Sequence, residues 1–512
     1  MRGAVAAGHP LTAEAAAHAL RAGGNAFDAA MASLCAACVA EPVLTSLGGG
    51  GFLLAQPRRG KAVLYDFFVQ TPRQRRPADE LDFHPILADF GTATQEFHIG
   101  LGAMATPGTV GGLFTVQREL GRLPMTEIVA PAVQYARDGV RLNALQAYVF
   151  SIVAPIFLST EPARALFASA TDANTLVGAG ETLRLPELAD TLEVLALEGE
   201  RLFYEGEIGQ ALSAVSRAAG GYLDMDDLRH YRVIRRQPLD IRYRDTHVRT
   251  NPPPSSGGLL IGFALELLRD VNLGKRGFGS PDHLALLARV MELTNAARAE
   301  HADQELDEQH PLMTDAGILA RYRAALADHP TFNRGTTHIS VIDEEGNAAS
   351  LTLSNGEGCG HVIPGTAIMM NNMLGEEDLN PEGFHRWRPA VRVSSMMAPS
   401  LLSANDRLVA LGSGGSNRIR TAIIQTLSNL VDFGMPPEDA IGQPRIHTER
   451  GRISIEPGFA DASVDRLRES FTDIHLWEAP NLFFGGAHTV QFDGRSFEGA
   501  GDPRRGGVFL RA

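Results

Sequence analysis

The sequence predicts an α+β chain, on three observations. Apolar residues recur at three- and four-residue spacing through most of residues 125–330, the helical period. From Thr336 onward the pattern turns to short strand-like runs broken by turns. The change from helix-rich to strand-rich falls close to residue 336, so the two kinds of element are segregated along the chain.

Taken in order, residues 10–41 read as two helices. Thr12 is a candidate N-cap, Glu14 to Arg21 carries the first helix, Gly23-Gly24 ends it, and Asn25 or Asp28 opens the second. The run Gly48-Gly49-Gly50-Gly51 leads into Phe52–Ala55, and Val63–Phe68 follows; both read as buried strands. No Gly-Lys-Ser/Thr follows the glycines, so this is not a phosphate loop, and close backbone approach is the simpler reading. Residues 72–100 are polar and irregular, with Arg73, Arg75 and Arg76 on a solvated loop. Thr106–Gly112 is a turn entering a helix. The three prolines of Asn251–Gly258 exclude a central strand or helix interior and indicate an ordered loop capping a helix at 259–268. His338–Asp343 pairs with Ala348–Leu353 across a turn at Asp343–Asn347, and Pro364 to Asn372 adds a strand and turn. Arg407 to Leu411 is a strand running into Gly412-Ser413-Gly414-Gly415-Ser416-Asn417-Arg418, followed by a helix from Ile419 to about Asp432.

Composition narrows the function. The 512 residues, 44% hydrophobic and 21% charged, are ordinary for a soluble globular enzyme. A net charge of −14 argues against nucleic-acid binding, which needs a basic surface. Cys35-x-x-Cys38 lies in an Ala-rich helical run without a second pair, so it reads as small core residues, and three cysteines do not make a disulfide framework. His301 and His310 flank Glu305 without His-Glu-x-x-His spacing, so they read as surface helix residues and no metal is expected. Gly356-x-Gly358-x-Gly360 does not complete a dinucleotide fingerprint, and no cofactor is expected. The first residues show no charged segment before an apolar core, and no run is long enough to span a bilayer. A soluble, cytoplasmic protein is expected, or a periplasmic or secreted one if the N-terminus is incomplete, with no membrane or nucleic-acid partner.

The chemistry is concentrated at Gly335-Thr336-Thr337-His338. Alone, Thr-Thr-His before a strand is an ordinary strand start. Cleavage of the Gly335–Thr336 bond would make Thr336 an N-terminal residue whose α-amine can act as base for its own hydroxyl. With a pKa of about 7.7–8.0, part of that amine is neutral at physiological pH.

Several further motifs share the chain with this one: Gly23–Ala30, Leu47–Phe52, Pro107–Val110, Pro252–Gly258, Asn371-Asn372, Ser394-Ser395-Met396 and Gly412–Ser416 with Arg418. Together, and in this order, they resemble the gamma-glutamyltransferase (gamma-glutamyl transpeptidase, glutathione hydrolase) family. The resemblance implies an N-terminal-nucleophile hydrolase with a four-layer αββα sandwich. It also implies a precursor that cuts itself into a large subunit, residues 1–335, and a small subunit, 336–512, which stay together. Thr336 matches the nucleophile, and Gly414 and Gly415 match the oxyanion-hole glycines. Ser394 and Ser395 match the pair that binds the donor α-carboxylate, and Asn355 matches the asparagine near the nucleophile's amine.

The sequence departs from the family pattern at three places. Between Asn347 and Asn355 it is one residue short, so Thr352, Leu353 or Ser354 could supply the hydroxyl that supports the nucleophile. After Asn372, Met373 stands where the family has glutamine, and Glu376 replaces the aspartate that holds the donor amine. Phe68 stands where the family has the arginine that clamps the donor carboxylate, which leaves Arg73 or Arg75 to reach in. The leading expectation is therefore an acyl-enzyme on Thr336 formed from γ-glutamyl compounds such as glutathione, with water or an amino acid as acceptor. The alternative keeps the mechanism with a non-glutamyl N-acyl amide, as in cephalosporin acylases, and an inactive, uncleaved binding protein is the third reading.

Overall fold

The computed structural model describes all residues except 90–93, 302–309, 326–335, 381, 405 and 450. Two antiparallel sheets form its centre. The first has seven strands in the order Val508–Arg511, Gly3–Ala7, Thr337–Asp343, Ala348–Ser354, Gly50–Gln56, Val63–Phe67 and Ile234–Arg236. The second has six, in the order Phe497–Ala500, Gly486–Phe492, Arg407–Gly414, Ser400–Ala404, Thr246–Thr250 and Leu239–Tyr243. Strands Thr337–Asp343 and Ala348–Ser354 of the first lie against Arg407–Gly414 of the second. Helices Pro10–Arg21 and Ala26–Ala40 pack on the first sheet, and helices Ser256–Leu268 and Arg418–Val431 on the second.

The period-2 rule of strands assigns the core. In Gly3–Ala7, Val5 and Ala7 join the apolar cluster under the first pair of helices, and Ala4 and Ala6 join the cluster shared with the second sheet. In Gly50–Gln56, Leu53 and Ala55 divide from Phe52 and Leu54 in the same way. The register of the hairpin, Ile342 opposite Ala348 through Thr337 opposite Leu353, matches the pairing expected. Ala26–Ala40 is buried along its whole length, which explains its small residues: only small side chains let a helix sit this close to sheet and neighbours. Its cysteines are buried and free, and burial pushes the Cys38 thiol up to about 12, so both are inert core residues.

Several elements differ from expectation. Thr12 is not the N-cap. His9 caps the helix by accepting from the Leu11 N–H, because Pro10 fixes the first turn two residues earlier. Asn25 and Asp28 act together as a reciprocal capping box. The helix after the prolines starts at Ser256 rather than 259. Residues 72–100 contain a hairpin of His84–Asp89 with Thr94–Ile99. His301 and His310 are buried rather than on a helix surface, with rings 6.1 Å apart, and Glu305 lies outside the described residues. The four-glycine run has a packing cause: a Cβ on Gly49 would fall 2.5 Å from the Ser354 carbonyl oxygen, and one on Gly51 2.6 Å from that of Thr352.

A buried ionic network locks the end of the chain beneath the second sheet. The Asp502 carboxylate pairs with Arg445 at 2.7 Å and with Arg504 at 3.2 Å, and accepts from the Ala487 N–H at 2.8 Å. Arg504 also donates to Glu456 at 2.7 Å. Burial raises the Asp502 pKa, but the charges of Arg445 and Arg504 prevail and hold it below the usual carboxylate range. Removing one partner of such a cluster leaves uncompensated buried charge, so Asp502→Asn is expected to cost about 3–5 kcal/mol, read as a fall in melting temperature. A depressed carboxylate stabilises fully above its unfolded pKa of about 3.9 and progressively less as the pH falls through its lower folded value. The gap between wild type and Asp502→Asn is therefore expected to narrow below about pH 4.

Candidate active site

Thr336 opens the strand Thr337–Asp343, in the middle of the first sheet. It is buried. Its carbonyl oxygen accepts from Arg505 Nη1 at 3.0 Å. The second sheet reaches it through Gly414: a Cβ on that residue would stand 1.9 Å from the Thr336 carbonyl oxygen. Only glycine allows this approach. Gly415 follows with φ +114°, and Ser416 with φ +52°, so the chain turns sharply before the helix Arg418–Val431. The sequence-predicted trio Thr336, Gly414 and Gly415 is thus brought to one point. Gly335 lies outside the described residues.

The spacing between the sheets at this point is set by His338. Its imidazole is fully buried, and a Cβ on Gly412 would meet the ring at 2.3 Å, so the Arg407–Gly414 strand lies directly on it. His338 Nε2 is 3.0 Å from Ser340 Oγ, which itself donates to the His488 carbonyl at 3.1 Å. Nε2 therefore carries the proton, and Nδ1 accepts from Thr352 Oγ1 at 2.8 Å. Burial, and secondarily the nearby His488, lowers the His338 pKa well below its ordinary value, so the ring is a neutral spacer.

That contact bears on which hydroxyl faces Thr336. Thr352 is taken by His338. Leu353 belongs to the apolar cluster under the helices, on the other face. Extending the register one pair beyond Thr337–Leu353 sets Ser354 opposite Thr336, with Asn355 next. On the other side, Thr337 Oγ1 donates to Glu41 Oε2 at 2.8 Å, and Glu41 Oε1 accepts from Thr12 at 2.7 Å. Sequence reading missed Arg505 and Glu41. Neither carries a local signal, because each reaches the site from a distant end of the chain.

Asn355 is fully buried, and neither its Oδ1 nor its Nδ2 has a hydrogen-bond partner among the described residues. A buried carboxamide without partners calls for a ligand or water. Glu376 is buried close by: a Cβ on Gly356 would fall 2.3 Å from Glu376 Oε1 and 2.1 Å from Asn372 Oδ1. Met373 is buried in the apolar cluster shared with Phe68. Ser394 is half-buried and Ser395 buried. Their loop is held by the turn after the prolines, where Ser255 Oγ and the Ser256 N–H donate to the Ser395 carbonyl at 2.8 and 2.9 Å. The Ser395 hydroxyl oxygen accepts from the Met397 N–H at 3.0 Å.

Neither Arg73 nor Arg75 supplies the charge that Phe68 lacks. Arg73 pairs with Asp226 at 2.8 Å, and Arg75 lies over the Trp387 ring at 5.3 Å while donating to the carbonyls of Arg386 and Trp387. Phe68 itself is buried and stacks on Phe52 at 5.4 Å. Two guanidiniums stand at this strand end and both are committed: Arg236 pairs with Asp66 at 2.8 Å, and Arg392 pairs with Asp66 at 3.2 Å and donates to the Phe68 carbonyl at 2.5 Å.

Residues 12–511 match the family model described as Gamma-glutamyltranspeptidase. The chain is 31% identical over 486 residues to the Acylase ACY 1 proenzyme of Pseudomonas sp. (strain V22), covering 91% of this chain and 86% of that one. It is 29% identical over 521 residues to the Glutathione hydrolase proenzyme of Escherichia coli (strain K12), covering 95% and 87%. Among solved structures, the cephalosporin acylase from Bacillus halodurans superposes with a TM-score of 0.84 at 25% identity, covering 99% of this chain and 95% of the other. The chain belongs to the gamma-glutamyltranspeptidase family of enzymes, whose mechanism rests on a threonine nucleophile.

Proposed function

We propose that this enzyme matures by cutting its own Gly335–Thr336 bond and then cleaves an N-acyl amide through an acyl-enzyme on Thr336. The two sheets with their flanking helices act as the αββα sandwich of an N-terminal-nucleophile hydrolase, with residues 1–335 and 336–512 as its subunits. In maturation, Thr336 Oγ attacks the Gly335 carbonyl carbon, the peptide C–N bond breaks, and water hydrolyses the resulting ester. Gly335 leaves as a carboxylate and Thr336 keeps a free amine. In turnover, that amine takes the hydroxyl proton as Oγ attacks the substrate carbonyl. The Gly414 and Gly415 N–H groups stabilise the oxyanion. The proton passes to the departing amine, and water or an acceptor amine then attacks the ester. Ser354 supports the nucleophile, and Arg505 fixes its main chain.

One observation carries the choice of donor: Phe68, stacked on Phe52 in the apolar cluster that also holds buried Met373, makes the acyl region apolar, and among the described residues Arg73, Arg75, Arg236 and Arg392 are all paired elsewhere. This favours an acylase acting on a non-glutamyl donor. The unpartnered Asn355 carboxamide favours the second reading, a γ-glutamyl donor whose amine it would bind beside Glu376, with the carboxylate at Ser394 and Ser395. Glutaryl-p-nitroanilide and γ-glutamyl-p-nitroanilide separate the two, since they differ only by the α-amino group that Asn355 and Glu376 would bind. The glutaryl substrate is expected to turn over with at least about tenfold higher kcat/KM, the scale of one unpaired buried polar group. Higher kcat/KM for the γ-glutamyl substrate would reverse the assignment.

A further inference from the structure

Asn417 stands where the glycine turn beside Thr336 becomes a helix. It precedes the helix Arg418–Val431, lies two residues after Gly415 and is fully buried. An asparagine at this place ordinarily caps the helix by accepting from an N–H of its first turn. Here the side chain makes no such cap. The first turn is tied to the glycines by main chain instead: the Arg418 N–H donates to the Gly415 carbonyl at 3.0 Å, and the Ile419 N–H to that of Ser416 at 2.9 Å. A shift of Asn417 is therefore passed straight to Gly415.

The carboxamide is spent on three distant side chains. Its Oδ1 accepts from Arg298 Nη1 at 3.0 Å, and its Nδ2 donates to Glu449 Oε1 at 3.0 Å and to Asp378 Oδ2 at 3.4 Å. These come from the helix Pro281–Glu300, the strand Ile446–Glu449 and the short turn Glu377–Leu379. Both acids also face the buried guanidiniums of Arg418 and Arg420. Burial raises the Glu449 pKa, but the His447 hydrogen bond and the charges of Arg418 and Arg420 hold it below the usual carboxylate range. The polarity of the amide is thus fixed, acceptor toward the guanidinium and donor toward two carboxylates. The Asp378 contact leads back to the site. Glu376 lies two residues earlier, and its carbonyl accepts from the Leu379 N–H at 3.2 Å and from Asn380 Nδ2 at 2.7 Å. One side chain therefore joins the Gly414–Gly415 turn to the loop that carries Glu376.

We propose that Asn417 is a positioning residue: by bridging Asp378 and Glu449 it aims the Gly415 N–H at the developing oxyanion, and so favours the tetrahedral state over the bound ground state. This rests on the reading of Gly414 and Gly415 as the oxyanion hole of Thr336, and the test keeps the two apart.

The test compares two ligands of one chain length on the mature enzyme. Glutarate stays trigonal. In 4-boronobutanoate a B–Oγ bond forms with Thr336, the hydroxyl proton passes to the Thr336 amine, no group leaves, and the boron becomes tetrahedral and anionic. Wild type is expected to bind the boronate at least about 100-fold more tightly than glutarate, the scale of an oxyanion donor. Asn417→Asp changes one atom group and sets a third carboxylate beside Asp378 and Glu449, with Arg298, Arg418 and Arg420 to offset the charge. It is expected to weaken the boronate about 10- to 100-fold and glutarate less than about threefold. Adding Asp378→Asn reverses donor and acceptor across that contact and is expected to recover about tenfold of the loss. A side chain that only stabilises the fold would lower the melting temperature and weaken both ligands alike, and that result overturns the inference. So does an unchanged boronate affinity in Asn417→Asp. If that variant does not mature, Asp378→Ala is read in its place: it cuts the same bridge from a half-buried position, and the boronate is expected to weaken about 3- to 10-fold with glutarate unchanged. An unchanged ratio there overturns the inference too. Equal binding of both ligands by wild type removes the oxyanion-hole reading itself, and this inference falls with it.

Discussion

Purified wild-type protein is expected to run as two chains on a denaturing gel, the smaller beginning at Thr336, and Thr336→Ala as one chain of 54.9 kDa with no measurable amide turnover. The effect is large because one residue supplies both halves of the chemistry. Its hydroxyl is the nucleophile in maturation and in catalysis, and its amine, created by the first event, is the base for the second. Groups that act as a unit fail together, so the loss in kcat is expected to reach roughly 10⁴- to 10⁶-fold. His338, the imidazole one residue beyond Thr337, cannot replace the base: it is buried, neutral and hydrogen-bonded through both nitrogens. In wild type, kcat/KM is expected to rise with pH through about 7.7–8.0 as the Thr336 amine loses its proton. N-terminal sequencing of the small chain and a pH profile check these points. A single continuous active chain would overturn the mechanism.

The parts of this site that sequence reveals are those carried by short motifs whose spacing is local. Thr336 before a strand and Gly412–Ser416 before a helix each have a backbone reason to look as they do, and the structure brings both to one point. The hairpin register was legible too, because apolar alternation and the Asp343–Asn347 turn agree. What was hidden depends on long-range closure. Gly3–Ala7 is five small residues with no alternation, yet it is a central strand, because its two faces meet two different apolar clusters. Strands Leu239–Tyr243 and Thr246–Thr250 fell inside a stretch read as helical, although Ile241, Tyr243 and Val248 alternate with Arg242, His247 and Arg249, a signal a shorter window would have caught. The Glu41 contact and Arg505 have no such signal, since their partners lie 296 and 169 residues away along the chain. The departure at Phe68 was visible as a residue, but only the structure could show that Arg73, Arg75 and Arg392 are all committed elsewhere.

Gly414→Ala is expected to abolish both cleavage and turnover while leaving most of the fold in place. The added methyl would lie 1.9 Å from the Thr336 carbonyl oxygen and 2.8 Å from its carbon, in backbone that cannot rotate away. One side must give. Thr336 is held by Arg505 and by the sheet behind it, and the Arg407–Gly414 strand is pinned two residues earlier, where Gly412 rests on the His338 ring. The displacement therefore falls on the Gly414–Gly415 turn, whose N–H groups must point at the developing oxyanion. Losing one such donor costs about 10²–10³ in rate, and a 1 Å misplacement of reacting groups a further factor near 10². A combined loss of about 10⁴-fold or more is expected, with a melting temperature that falls far less steeply than activity. Gly434→Ala offers the control: its φ of +63° is equally unusual, but a Cβ there meets nothing within 4 Å, so only modest backbone strain and normal cleavage are expected. If Gly414→Ala matures and turns over like Gly434→Ala, then the contact between Gly414 and Thr336 is packing alone, and the oxyanion must be stabilised elsewhere.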